Sequence, residues 1–140
     1  VNAESLVLQE LVYETDTTRE CFLSFVTPES EQATPRLAGF LRLSLPKCWP
    51  LQGFLDEITG AAVIREVHVY GQALELGEAS EGQAQHAGLG TRLIEHAAEI
   101  ARQAGFARLA VIAATGTREY YRARGFELGQ LYMTRAIGKG

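Results

Sequence analysis

Ala61-Ala62-Val63-Ile64-Arg65-Glu66-Val67-His68-Val69-Tyr70 and, further on, Gln85-His86-Ala87-Gly88-Leu89-Gly90-Thr91 decide how this chain folds. The first run is dense in β-branched residues and alternates along its length, which reads as a strand. A two-residue period puts Ile64, Glu66, His68 and Tyr70 on one face, with Val63, Arg65, Val67 and Val69 on the other. Residues 77–87 are small and polar and read as a flexible loop. From Gly88 the period changes: Leu89, Leu93, Ala97, Ile100 and Ala104 recur every three or four residues, with Arg92, Glu95, Glu99 and Arg102 between them. That spacing predicts an amphipathic helix ended by Gly105 at a left-handed C-terminal position. Phe106 to Ala113 reads as a buried strand, so residues 61–113 form one βαβ unit with a right-handed crossover.

The flanks read differently. Leu6, Val7, Leu8, Leu11 and Val12 open the chain before it turns polar from Glu14 to Thr18. Glu20 to Val26 and Arg36 to Leu45 are apolar-rich strands joined by the polar stretch Glu29–Pro35, an antiparallel hairpin. Pro46 to Pro50 breaks the pattern, and Leu51–Ile58 is long enough for one or two helical turns. Thr117–Arg124 reads as a two-turn helix ending at Gly125, and Phe126–Ala136 as a strand or hairpin. The class is therefore α/β: a mixed, mostly antiparallel sheet flanked by helices, in one domain over residues 1–140.

With 140 residues the chain is one ordinary domain, and 46% hydrophobic with 21% charged residues is a globular composition. The net charge of −4 argues against a generally basic nucleic-acid wrapper. Its distribution is uneven, however: residues 1–80 carry 5 basic and 12 acidic side chains, residues 81–140 carry 8 and 5. An anionic ligand against the second half explains this asymmetry, and so do two differently solvated faces. Cys21 and Cys48 are too few for a disulfide framework or a zinc ribbon, no metal-ligand spacing is present, and no membrane partner is expected. No apolar run reaches the ~18 residues of a membrane span and no signal-peptide core opens the chain, so a reducing, cytoplasmic setting is expected.

The glycine-containing stretch at 85–91 lies where a strand hands over to a helix. The first amides of a helix lack intrahelical partners and carry the positive end of its dipole. Glycines at 88 and 90 remove the β-carbons that keep an anion away, which makes a phosphate cradle. No Gly-Lys-Ser/Thr follows, so it is not a Walker A loop, and it lacks the third glycine of a Rossmann fingerprint. A tight strand-to-helix turn that needs glycine for packing accounts for the same letters.

The pattern Gln85-x-x-Gly88-x-Gly90 resembles the acetyl-CoA loop of the GNAT acetyltransferases, and Tyr120-Tyr121-Arg122-Ala123-Arg124-Gly125-Phe126 resembles their second hallmark. The resemblance goes further. Tyr13-Glu14-Thr15, Phe22-Leu23-Ser24-Phe25, Gly39-Phe40-Leu41-Arg42-Leu43, Ile64 to Gly71, Gly116-Thr117-Arg118-x-Tyr120-Tyr121 and Tyr132-Met133 are similar to the C-terminal acetyltransferase domain of the Elongator catalytic subunit family. It implies the GNAT fold and a domain that takes acetyl-CoA, by hydrolysis or acetyl delivery, in the carboxymethylation of wobble uridines in tRNA. It further implies a radical S-adenosylmethionine domain with an iron–sulfur cluster as partner. Cys21 and Cys48 cannot supply a three-cysteine cluster motif, so that domain is expected outside this chain. A protein lysine acetyltransferase and a non-catalytic CoA-binding module are the alternative roles on the same fold.

By the same resemblance, the backbone amides of Ala87, Gly88, Leu89, Gly90 and Thr91 hold the pyrophosphate, with Gln85 and His86 beside it. Main-chain groups at Val67, His68 and Val69 hold the pantetheine arm, and one of their N–H groups polarises the thioester carbonyl. Tyr121 is the expected general acid toward the departing thiolate and also touches the cofactor, with Tyr120 assisting or packing. Glu66 is the candidate general base, although a strand glutamate also serves to pair an arginine. His68 shares its face and either orients a nucleophile or is structural. His96 is assigned nothing. Arg118, Arg122 and Arg124 face RNA phosphates or simply form a solvated helix face.

Overall fold

The computed structural model describes residues 6–31, 34–47, 58–70, 79–113, 115–129 and 131–138, with side chains undescribed at 79–87 and 115. The elements are β1 (Val7–Glu14), β2 (Thr18–Val26), β3 (Leu37–Pro46), β4 (Ala61–Val69), α1 (Ala79–Gln103), β5 (Arg108–Val111), a 3-10 turn (Thr115–Thr117), α2 (Arg118–Arg122), β6 (Glu127–Leu128) and β7 (Met133–Ala136). The strands form one sheet in the order β1-β2-β3-β4-β5-β7-β6. Only β4 and β5 run parallel, across the α1 crossover; every other neighbour is antiparallel. The predicted mixed sheet and βαβ unit are what the chain builds. The expected helix at 51–58 lies outside the described residues apart from Ile58.

No element was expected over the first residues; they form β1, an edge strand exposed along nearly its whole length. Two expectations are corrected. The strand expected over 106–113 is shorter, Arg108–Val111, and Ile112 beyond it is exposed. The helix expected from Gly88 begins at Ala79, so residues 79–87 are helical rather than a flexible loop. Ala79, Gln83, Ala84, Gln85 and Ala87 are good helix formers, and they extend the helix through Gly82 and Gly88.

The core sits between the sheet and α1. Leu23 and Phe25 of β2, Leu41 and Leu43 of β3, Ile64 of β4 and Leu109 of β5 pack with Leu89, Leu93, Ala97 and Ala101 of α1. The predicted helix stripe is right as far as Ile100, half-buried against the core, with Ala101 fully buried beside it, but Ala104 is exposed. α1 then ends as expected. Gly105 adopts φ +98°, and the Phe106 and Gly105 amides bond back to the Ala101 and Arg102 carbonyls. Among the described residues, no helix is long and apolar enough to cross a membrane. Leu93 is fully buried where α1 meets the sheet. Leu93→Ala is expected to cost about 3 kcal/mol of stability in urea denaturation, whereas Leu11→Ala on exposed β1 costs less than about 0.5 kcal/mol.

Candidate active site

The site begins where two strands part. β4 and β5 are paired only from Ala61/Arg108 to Ile64/Val111, yet β4 continues to Val69. Among the described residues, its main chain from Arg65 to Val69 pairs with β3 on one side and with no strand on the other. At the parting point the β3–β4 register slips. Leu43 faces Ile64 and Arg42 faces Glu66, which leaves Arg65 as the extra residue of a bulge.

The bulge rewrites which side chains share a face. Ile64, Val67 and Val69 all pack toward α1, while Arg65, Glu66, His68 and Tyr70 take the outer face with Val63. The predicted grouping of Ile64 with Glu66, and of Val63 and Arg65 with Val67 and Val69, is thus reversed at and before the bulge. A strict two-residue period fails wherever a strand carries one extra residue.

On the outer face Glu66 is held from two sides. Arg42 reaches it from β3, with Nε 3.2 Å and Nη2 3.1 Å from Oε2. His68 Nε2 lies 3.4 Å from Oε1. Cross-strand rings wall this group: Phe22 stacks on Phe40 at 5.1 Å, His68 lies tilted against Phe40 at 5.1 Å, and Tyr70 is nearly parallel to His68. Such cross-strand ring pairs fix the register of the strands that carry them. The glutamate expected as a base therefore also has the arginine partner that its alternative reading foresaw.

The helix side of the open edge holds the tyrosines. α2 is short and ends in the same motif as α1: Gly125 has φ +94°, and the Phe126 amide reaches back to the Tyr121 carbonyl. Tyr121 lies in the core, 8% exposed, edge-on to Phe126 at 5.5 Å and to Tyr120 at 5.1 Å. Tyr120 is half-buried, and its hydroxyl lies against Gly90 of α1. A β-carbon at Gly90 would sit 2.1 Å from that oxygen and 3.8 Å from Val69 Cγ2. Tyr120, Gly90 and Val69 thus meet at the end of the open β4 edge. Burial pushes the Tyr120 phenol above its ordinary value, and Arg124 pulls it the other way. Burial, followed by Tyr120, raises Tyr121. Both phenols therefore carry their protons at neutral pH, as a proton donor must.

The glycine segment is placed differently from expectation. Gln85, His86, Ala87, Gly88, Leu89, Gly90 and Thr91 all lie inside α1, not at its start. The side chains of the first three are outside the described residues, Gly88 is exposed and Leu89 is buried in the core. Because the helix starts at Ala79, the amides of 87–91 fall within its hydrogen-bonded span and are not a ready anion cradle in this conformation.

The arginines also separate. Arg122 pairs with Glu119 on the α2 surface. Arg118 has its Nε buried without a hydrogen-bond partner. Arg124 turns inward onto Tyr120 and Thr91. Arg42 and Arg124 are the contributors that the sequence reading did not connect to Glu66 and Tyr120. For Arg42 a signal existed, since antiparallel pairing of β3 with β4 can set an arginine opposite a glutamate.

Residues 8–126 match the model of the acetyltransferase (GNAT) family. The chain belongs to that family. The family implies the use of acetyl-CoA, and the mixed sheet with its crossover helix is the fold expected of it. The chain is 42% identical over 133 residues to a tRNA uridine(34) acetyltransferase of Dehalococcoides mccartyi, covering 93% of this chain and 28% of that protein. It is equally 42% identical over 120 residues to Elongator complex protein 3 of Danio rerio, covering 84% of this chain and 21% of that one. The archaeal Methanocaldococcus infernus Elp3 superposes with a TM-score of 0.69 at 28% identity, over 96% of this chain and 30% of that one. The chain thus spans between about a fifth and just over a quarter of the curated relatives it matches.

Proposed function

We propose that this GNAT domain handles acetyl-CoA within an enzyme that modifies the wobble uridine of tRNA, either hydrolysing the thioester or delivering its acetyl group. The observation that carries the chemistry is the Tyr120 hydroxyl lying over Gly90 at the open edge of β4. The name of the Dehalococcoides mccartyi relative, a tRNA uridine(34) acetyltransferase, supports the tRNA context. On this reading the chain is one domain, in a cytoplasmic setting. The S-adenosylmethionine radical chemistry and its iron–sulfur cluster lie in a partner domain outside these 140 residues.

The roles follow from position. Main-chain groups of Val67 and Val69 face the open edge, where an extended pantetheine arm adds as another strand and an N–H polarises the thioester carbonyl; those of His68 turn to β3, in step with the Tyr70 amide that donates to Ala38. We assign the acid to Tyr120, whose hydroxyl reaches the edge, and a packing role to Tyr121, whose ring is in the core. Glu66 stands on the opposite face of β4, so donor and acceptor approach the carbonyl from different sides. Glu66 takes the proton of the incoming water or amine, and the new bond forms at the carbonyl carbon. As the carbon–sulfur bond breaks, Tyr120 protonates the thiolate.

The pyrophosphate needs free amides at 87–91, so binding requires α1 to begin at Gly88 and residues 79–87 to leave the helix. Calorimetric titration with acetyl-CoA, followed alongside by far-UV circular dichroism, tests this. The expected result is one site per chain, with loss of helical signal on binding. Gly88→Arg should abolish it, because a side chain there meets nothing within 4 Å in the folded chain yet occupies the anion's place. Desulfo-CoA should bind nearly as well, since the pyrophosphate and pantetheine contacts remain. Absence of acetyl-CoA binding to the native chain overturns the reading.

A further inference from the structure

Arg124 was expected to face RNA or solvent; its contacts point inward. Its guanidinium carbon lies 3.5 Å from the centroid of the Tyr120 ring. Its Nε donates to Thr91 Oγ1 at 2.8 Å, and its Nη1 donates to the Tyr120 carbonyl oxygen at 2.7 Å. One planar side chain therefore covers the ring face, ties down its backbone and reaches the helix that carries Gly90. The turn closed by Gly125 aims it there, since the Arg124 amide bonds back to the Tyr121 carbonyl at 3.0 Å. Stacking while donating two directed hydrogen bonds is a property of the arginine fork that a lysine ammonium cannot copy.

We propose that Arg124 is a positioning residue that holds the Tyr120 hydroxyl over Gly90 and couples it, through Thr91, to the glycine segment that receives the donor. The proposal rests on reading Tyr120 as the acid. Without Arg124 the ring loses the group over its face and the bond to its carbonyl, keeping its packing against the core, its edge contact with Tyr121 and its hydroxyl contact at Gly90, so its hold beside the β4 edge loosens. Thr91 thereby gains a distinct role, because its hydroxyl receives Arg124 separately from any use of its amide. Gly90, which meets the Tyr120 hydroxyl from α1, and Val69 of β4 beside it are uncharged, and among the described residues Arg124 is the charged group acting on the phenol, with Tyr121 the titratable neighbour.

Three variants, R124A, R124K and T91V, test this by acetyl-CoA turnover and by the pH titration of the Tyr120 Cζ resonance in 13C-tyrosine-labelled chain. That resonance is identified by its loss in Tyr120→Phe. R124A should lower kcat about tenfold while KM for acetyl-CoA changes by less than about threefold. It should also move the Tyr120 titration to higher pH, because a positive charge that favours the phenolate has gone. R124K should restore most of the titration but not kcat, since charge returns without the stacked fork. T91V, which removes one acceptor and leaves the core intact, should lower kcat in the same direction by a smaller factor. A Tyr120 titration identical in R124A and the native chain overturns the proposal, as does full recovery of kcat in R124K. If Tyr120→Phe turns over at the native rate while R124A still shifts the titration, the acid assignment fails and the positioning role stands.

Discussion

Tyr120→Phe is expected to lower the kcat of acetyl-CoA turnover by about two orders of magnitude while leaving KM within about threefold. The substitution keeps the ring under Arg124 and edge-on to Tyr121, so packing is preserved and only the proton is lost. The pH profile gives a second reading. The acid works in its protonated form, and burial raises its pKa above that of an ordinary tyrosine, about 10. The rate should therefore hold through neutral pH and fall only as the phenol ionises, above that ordinary value. This basic limb should be missing in Tyr120→Phe. Should Tyr121→Phe carry the loss and the limb instead, the acid is Tyr121 and the geometry at Gly90 serves packing alone.

Gly90→Ala is expected to reduce kcat at least about tenfold by displacing the same hydroxyl. A β-carbon there would lie 2.1 Å from the Tyr120 oxygen, so that oxygen must move. Gly88→Ala makes the comparison sharp, because nothing lies within 4 Å of its added carbon. It should stabilise the helical form of the segment by about 1 kcal/mol, visible as a higher melting temperature. By opposing the unwinding that the pyrophosphate requires, it should raise KM for acetyl-CoA with less effect on kcat. The two neighbouring glycines thus separate along kcat and KM. Equal effects of both substitutions on both constants would rule out the distinct roles assigned to them.

What was legible in the sequence is what local periodicity and turn chemistry control. Apolar density marked β2 and β3, and alternation marked β4. The three-to-four spacing marked α1 as far as Ile100, and Gly105 and Gly125 marked the ends of two helices, where both adopt positive φ. The order of strand, helix and strand then fixed the parallel pairing of β4 with β5, because a crossover helix brings its flanking strands into the same direction. The motifs around Gly88–Gly90 and Tyr120–Tyr121 were visible for the same reason: each is a short run whose letters act on their own backbone.

Only the tertiary structure decided which atoms meet. The bulge at Arg65 puts Arg65 and Glu66 on one face, and it arises where β4 loses β5 and is held from one side alone. The resemblance favoured Tyr121 over its neighbour Tyr120, but consecutive positions on a helix point about 100° apart. One ring enters the core beside Phe126, and the other reaches Gly90, thirty residues away. Arg124 resembled its neighbours Arg118 and Arg122 until its guanidinium was found on Tyr120 and Thr91. The sequence by itself determined the frame, the glycines and the candidate acids, through interactions between near neighbours. The assignment of roles among them came from packing between distant segments, where side-chain direction, a one-residue slip and a missing β-carbon decide which groups come within reach.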